Sequence, residues 1–157
     1  MLRRTYDDQV CSIARALEVV GERWTLLIVR DALSGVTRFD GFLNRLPIAR
    51  NVLSDRLNGL VEFGVLERVQ YQDRPPRHEY RLTTRGRELT PVILSLMAWG
   101  DRHLPTPTGP PSTAEHEFCG GTVRTRLICD CCGREVAVGA VVRRSNVAAT
   151  PPEPAGR

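Results

Sequence analysis

Lysine is absent from this chain of 157 residues, and all 22 basic residues are arginine. Arginine suits planar, bidentate contacts to phosphate and guanine, although genomic codon bias is the plainer cause of so complete a preference. Also missing is any apolar run near the ~20 residues needed to span a bilayer. The first residues, MLRRTYDDQVCS, carry arginines with no apolar core behind them. No secretory leader is therefore expected, and the cytoplasm is the expected location. No GxGxxG, P-loop or Ser-His-Asp set stands in the chain, so its residues do not point to an enzyme. No internal repeat is evident.

What is present fits a soluble globular protein: 41% hydrophobic and 25% charged residues, with a net charge of +4. Residues 1–104 hold 16 of the basic residues against 13 acidic ones. That permits nucleic-acid binding without establishing it. Composition shifts at residues 105–113 (PTPTGPPST), where four prolines preclude a helix and imply an extended linker. A second Pro-rich stretch, residues 146–157, reads as a disordered tail. These breaks leave a body, residues 1–104, and a module over residues 114–145.

In the body, SIARALEVV (Ser12–Val20) reads as a helix with Ser12 as its cap and Gly21 as a breaker. Further helices are expected over residues 24–33, 39–46 and 50–63, with Pro47 stopping the third and Gly64 ending the fourth. The fourth is the most informative. Leu53, Leu57, Leu60 and Val61 fall on one helical stripe. Asn51, Asp55, Asn58 and Glu62 lie opposite, with Ser54 on the flank and Arg50 at the start. A recognition helix needs one face locked in a core and another offering amides and guanidinium to base edges. An ordinary amphipathic helix would look the same.

The next elements discriminate. Residues 65–71 and 77–83 are strand-like and flank the turn QDRPP, which places Arg74 and Arg77 near a hairpin tip. Helix, short connection, helix, hairpin is the layout of a winged helix, whose wing arginines can reach phosphates. The expected fold is mainly α with a small β component (α+β). Residues 84–103 close the body as a long helix, capped by Thr83 or Thr84. Its apolar stripe is Leu89, Val92, Ile93, Leu96 and Met97, and Pro91 is tolerated if the regular part begins near it. Such a helix can complete the core or pair with its copy in a dimer.

Several segments together carry a resemblance. They are RWTLLIVRDAL, the R-F-x-x-F that includes Arg38 and opens the third helix, L-x-x-R-L-x-x-L in the fourth, and P-P-x-x-x-Y-x-L-T through the wing. Over roughly residues 9–104 the chain resembles the HxlR family of bacterial winged-helix regulators, relatives of the MarR group. The resemblance implies homodimers that bind palindromic operator DNA and a reading helix carrying Arg50, Asn51, Ser54, Asp55 and Arg56; a repressor that occludes promoter DNA is the expected function. Ala49 departs from the family's Ser or Thr cap. Cys11 occupies the place, just before the first helix, where several family members sense oxidants or electrophiles, although Ser12 replaces the following Pro. A helix N-terminus favours the thiolate, and Arg15 could add to this. A packed, inert thiol is the alternative. A small-molecule pocket at a dimer interface is a further expectation for an effector.

The other four cysteines cluster after residue 114. His116-x2-Cys119-Gly120 and Cys129-x2-Cys132-Gly133 are two half-sites of one shape. Such spacing lets a tight turn point two ligands at one ion, and the Gly permits the left-handed backbone that follows. Together they offer three thiolates and an imidazole, a set suited to one structural Zn2+. Strand-like residues 122–128 and 135–142 complete the pattern of a zinc ribbon. Cys131 could replace Cys132, or Cys129, Cys131 and Cys132 could form a metal-free redox switch. His78 and His103 read as structural or solvated. A winged helix joined to a zinc ribbon is also similar to archaeal transcription factor E, which contacts polymerase, so a protein-interaction factor is the alternative function. A closed four-ligand site would leave no open position for catalysis.

Overall fold

The computed structural model describes residues 10–144, and these fall into two compact units divided after Thr125. The expected tail at residues 146–157 lies outside the described residues. The division falls after Thr125, inside the stretch expected to form a single module from residue 114, so the first Gly-ended turn belongs to the larger unit.

In the larger unit the chain runs α1 (Ser12–Val20), α2 (Thr25–Leu33), α3 (Phe39–Arg45), α4 (Arg50–Glu62), β1 (Leu66–Asp73), β2 (Pro76–Leu82), α5 (Thr84–Arg87) and α6 (Thr90–His103). The periodic apolar residues become the core. Ile28 and Val29 of α2, Phe42 of α3, Leu53, Leu57 and Leu60 of α4, and Val65, Leu66 and Leu82 around the hairpin are buried together. Fully burying such a side chain contributes about 1.5–3 kcal/mol each.

α4 begins without a side-chain cap, as Ala49 requires. Its far end is tightly closed. Gly64 adopts φ +67°, its N–H donates to Val61 O (3.0 Å), and the Val65 N–H donates to Leu60 O (2.9 Å). This is a Schellman ending, and it turns the chain directly into β1. β1 and β2 pair antiparallel from Leu66↔Leu82 to Asp73↔Pro76, with a bulge between Gln70 and Gln72. The Tyr80 N–H donates to Thr37 O (2.7 Å), and an isolated bridge joins Arg38 to Glu79, so the α2–α3 loop extends the hairpin sideways.

Residues 84–103 do not form one helix. α5 ends at Arg87, and α6 restarts at Thr90 with Pro91 in its first turn, where the missing N–H costs nothing. Thr83 caps α5 by accepting the Gly86 N–H at 3.1 Å. Leu89 and Ile93 pack on the core, whereas Val92, Leu96 and Trp99 stand 43–57% exposed.

The strands expected over residues 122–128 and 135–142 are absent. Among the described residues after 114 there are only single bridges, Glu115↔Thr122 in the larger unit and Ile128↔Glu135 in the smaller, plus a short 3-10 turn at Val138–Ala140. The short connection between the turns leaves little chain to build a ladder. A repeat does appear in the backbone, at an offset of 13 residues. The His116 N–H donates to Gly121 O, the Gly120 N–H to His116 O and the Val123 N–H to Ala114 O, all at 2.8 Å. Cys129 N–H to Arg134 O (3.0 Å), Gly133 N–H to Cys129 O (2.8 Å) and Val136 N–H to Leu127 O (2.8 Å) repeat this pattern. Gly120 and Gly133 share φ values of +67° and +68°. The sequence hides the repeat because only Cys119/Cys132, Gly120/Gly133 and Val123/Val136 are identical.

Candidate nucleic-acid interface and thiol turns

α4 is anchored through Leu53, Leu57 and Leu60, which fixes what its other side presents. Arg50, Asn51, Asp55 and Asn58 are exposed, while Ser54 and Arg56 are half-buried. Arg50, at the first position of the helix, lies over the Phe39 ring (5.5 Å to its centroid) and pairs with Asp40 Oδ1 at 3.1 Å. Both partners are mostly exposed, so the pair is weak and exchangeable. Arg56 is held differently. Its Nη2 lies 3.3 Å from Glu22 Oε2, which ties α4 to the turn before α2.

Arg38 caps α3 by position but makes no side-chain capping bond. Its guanidinium instead lies over Tyr71 at 4.8 Å, with Glu79 Oε1 at 3.7 Å. Arg74 and Arg77 are exposed at the hairpin tip. The tip is braced, because Gln70 Nε2 donates to Asp73 Oδ1 and Gln72 Nε2 donates to Arg74 O, each at 2.9 Å. A braced tip holds cationic side chains outward at low entropic cost. The arrangement offers amides and a guanidinium along α4 and further guanidiniums on the hairpin, the donor types that phosphates and base edges accept.

One residue escaped the sequence reading. Asp31, in the apolar α2, is 1% exposed, and its Oδ1 accepts from Arg30 Nε (3.0 Å) with Arg45 Nε at 3.8 Å. Its Oδ2 has no hydrogen-bond partner among the described residues. It links α2 to α3 electrostatically. The only signal in the sequence was a carboxylate interrupting an apolar run.

Cys11 is half-buried at the N-cap of α1, and its carbonyl accepts the Arg15 N–H at 3.0 Å. No disulfide joins the five cysteines, all of which are among the described residues. In the first Gly-ended turn, His116 Nδ1 lies 3.1 Å from Cys119 Sγ, and the Phe118 ring meets the imidazole edge-on at 5.5 Å. In the second, the thiol of Cys129 is held below its ordinary pKa. The backbone N–H of Cys132 is the main cause, followed by that of Cys131 and by the Cys132 side chain, while burial opposes them. Among the described residues, no group of three or more His, Cys, Asp or Glu side chains is gathered closely enough to hold a metal ion.

Residues 19–108 match the HxlR-like helix-turn-helix family, more than half of the chain. The chain belongs to that family. It is 54% identical over 125 residues to Rv3095 of Mycobacterium tuberculosis, an HTH-type transcriptional regulator, a match covering 80% of this chain and 79% of that protein. Its fold is similar to the crystal structure of the transcription factor PA1607 at TM-score 0.79 and 34% identity, over 90% of this chain and 99% of that one. This likeness reaches past the family-matched segment into the C-terminal extension. The redox regulator HypR in its reduced form is similar at TM-score 0.56 and 31% identity, over 60% of this chain and 96% of that one. The family and these likenesses make this chain a DNA-binding transcriptional regulator of helix-turn-helix type. Among the described residues, no helix is long and apolar enough to cross a membrane.

Proposed function

We propose that the protein acts in the cytoplasm as a homodimeric repressor that binds a palindromic operator and carries no catalytic activity. The observation that carries this reading is the division of α4 into a buried leucine stripe and an exposed row of Arg50, Asn51, Asp55 and Asn58. Arg50 and Asn51 meet the major groove, with Ser54, Asp55 and Arg56 completing the reading helix. Arg38, Arg74 and Arg77 hold backbone phosphates. The exposed stripe of Val92, Leu96 and Trp99 on α6 supports pairing with a second copy. Two-fold pairing would match the half-site spacing of a palindrome.

Binding to DNA upstream of the protein's own gene, compared with a scrambled duplex across salt, tests the reading. Specific binding should be about 10³-fold tighter or more and should weaken steeply as salt rises. Light scattering should give twice the chain mass. Equal, weak binding to both duplexes would refute operator recognition there and favour a protein partner such as polymerase.

The effector in this reading is an oxidant acting at Cys11. The likeness to a redox regulator and the placement of Cys11 at a helix N-terminus support it. Cys11→Ser should abolish an oxidant-induced loss of DNA binding. An unchanged oxidant response in that variant would remove Cys11 as the sensor.

A further inference from the structure

We propose, on the reading that Arg38 contacts a backbone phosphate, that Glu79 and Tyr71 of the hairpin are positioning residues which hold its guanidinium in place for that contact.

Arg38 stands at the N-cap of α3 and joins it to the hairpin twice. Its backbone bridges to Glu79 of β2, and beside it the Tyr80 N–H donates to Thr37 O at 2.7 Å. Its side chain crosses as well, lying over the Tyr71 ring at 4.8 Å with its Nε 3.7 Å from Glu79 Oε1. A long arginine side chain that must be ordered on binding costs affinity. Here a ring and a carboxylate supply that order before DNA arrives.

The carboxylate is itself fixed. The Glu79 side chain is 14% exposed, whereas the Arg38 side chain that it holds is 64% exposed. Its other oxygen, Oε2, accepts from Nε (3.2 Å) and Nη2 (2.9 Å) of Arg81. A carboxylate held in this way can orient Arg38 while the guanidinium keeps N–H groups for a second anion. The Arg50–Asp40 pair, by contrast, joins side chains that are 69% and 75% exposed.

The ring is placed by an irregularity in the hairpin. The register passes from Gln70↔His78 to Gln72↔Arg77, so Tyr71 is the extra residue of the bulge. A bulge re-aims the side chain that it inserts, and this one meets Arg38. A guanidinium stacked on an aromatic face keeps its edge free for hydrogen bonds to phosphate.

Charge alone predicts the opposite of positioning. Phosphates repel a carboxylate, so removing one beside DNA should tighten binding. If Glu79 positions Arg38, removing its charge should weaken binding instead.

The test uses the full chain, an arbitrary duplex and fluorescence anisotropy across salt, because a phosphate contact needs no particular sequence. Arg38→Ala should weaken binding roughly tenfold or more and lower the salt slope by about one. Glu79→Gln should weaken it about threefold or more, despite the lost negative charge. Tyr71→Ala should weaken it about two- to fivefold, and Tyr71→Phe, which keeps the ring, should bind as wild type. In an Arg38→Ala background, neither Glu79→Gln nor Tyr71→Ala should weaken binding further. Because Glu79→Gln could loosen the hairpin, the two Tyr71 variants, at a position 40% exposed, carry the test independently. Wild-type binding by Arg38→Ala would remove the phosphate contact and the proposal with it. A weakened Arg38→Ala beside a Glu79→Gln or Tyr71→Ala that binds as tightly as wild type would overturn the positioning role alone. So would a loss in either variant that persists undiminished without Arg38.

Discussion

The two ends of this chain handle aliphatic side chains in opposite ways. In the body, Ile28, Phe42, Leu53 and Leu57 are fully buried and surrounded by one another. In the smaller unit, Leu127, Ile128, Val138, Val141 and Val142 stand 50–78% exposed. One region is shaped by burial. The other is shaped by backbone hydrogen bonds and by a glycine held in a conformation other residues avoid. A hydrophobic residue in a sequence is thus no evidence of a core unless its neighbours recur with a helical or strand period.

Truncation tests that contrast most severely. Phe42→Ala should cost about 3–5 kcal/mol, because it empties a well-packed site between α2, α3 and α4. Ile128→Ala should change stability by less than about 0.5 kcal/mol, as expected of an exposed side chain. Urea unfolding of the body measures the first, and the same titration should not move for the second. Comparable losses at both positions would mean that the smaller unit has a core after all.

Glycine sharpens the comparison at a smaller scale. Gly86, in α5, is buried against the turn from α4 into β1, and an added Cβ would strike the Val65 carbonyl and Leu82 Cδ2. Gly133 faces open space, and only its φ of +68° resists a side chain. Gly86→Ala should therefore cost about 1–3 kcal/mol by overpacking. Gly133→Ala should leave the body's unfolding midpoint where it is. Thermal melts of the two variants compare a glycine needed for space with one needed for conformation.

The body was legible because several signals agreed within short windows. The leucine stripe of α4, Gly64 after it and the Pro-containing turn between two strand-like runs each constrain the same topology. Observed boundaries lie within about two residues of the expected ones for α1 to β2, an offset usual at element ends. The break between α5 and α6 was half-legible, since Pro91 marked where regular helix could begin. Long-range charge pairing was not legible. Nothing local says that Glu22 meets Arg56, or that Asp31 reaches Arg45 across α2 and α3. In the extension, valines and isoleucines suggested strands, but strand propensity needs a partner ladder to act on. Only single bridges form there.

The exposed face of α4 offers the finest test, because there stability and function should separate. Arg50 and Asp40 form an exposed pair at 3.1 Å, worth no more than about 0–1 kcal/mol to folding. Arg50→Ala should thus leave the unfolding midpoint nearly unchanged. If Arg50 touches phosphate, the loss should weaken binding to all duplexes alike and reduce the salt slope by about one; if it touches a base, discrimination should fall by about 1–3 kcal/mol at one position. Asp40→Ala separates these roles further. The carboxylate holds the guanidinium that DNA would need and adds a negative charge beside it. Removing it should leave folding intact and tighten binding, most visibly at low salt, where unscreened charges act furthest. Measuring both variants by fluorescence anisotropy across salt decides the matter. Weaker binding in Asp40→Ala would mean that the ion pair positions Arg50 for its contact rather than competing for it.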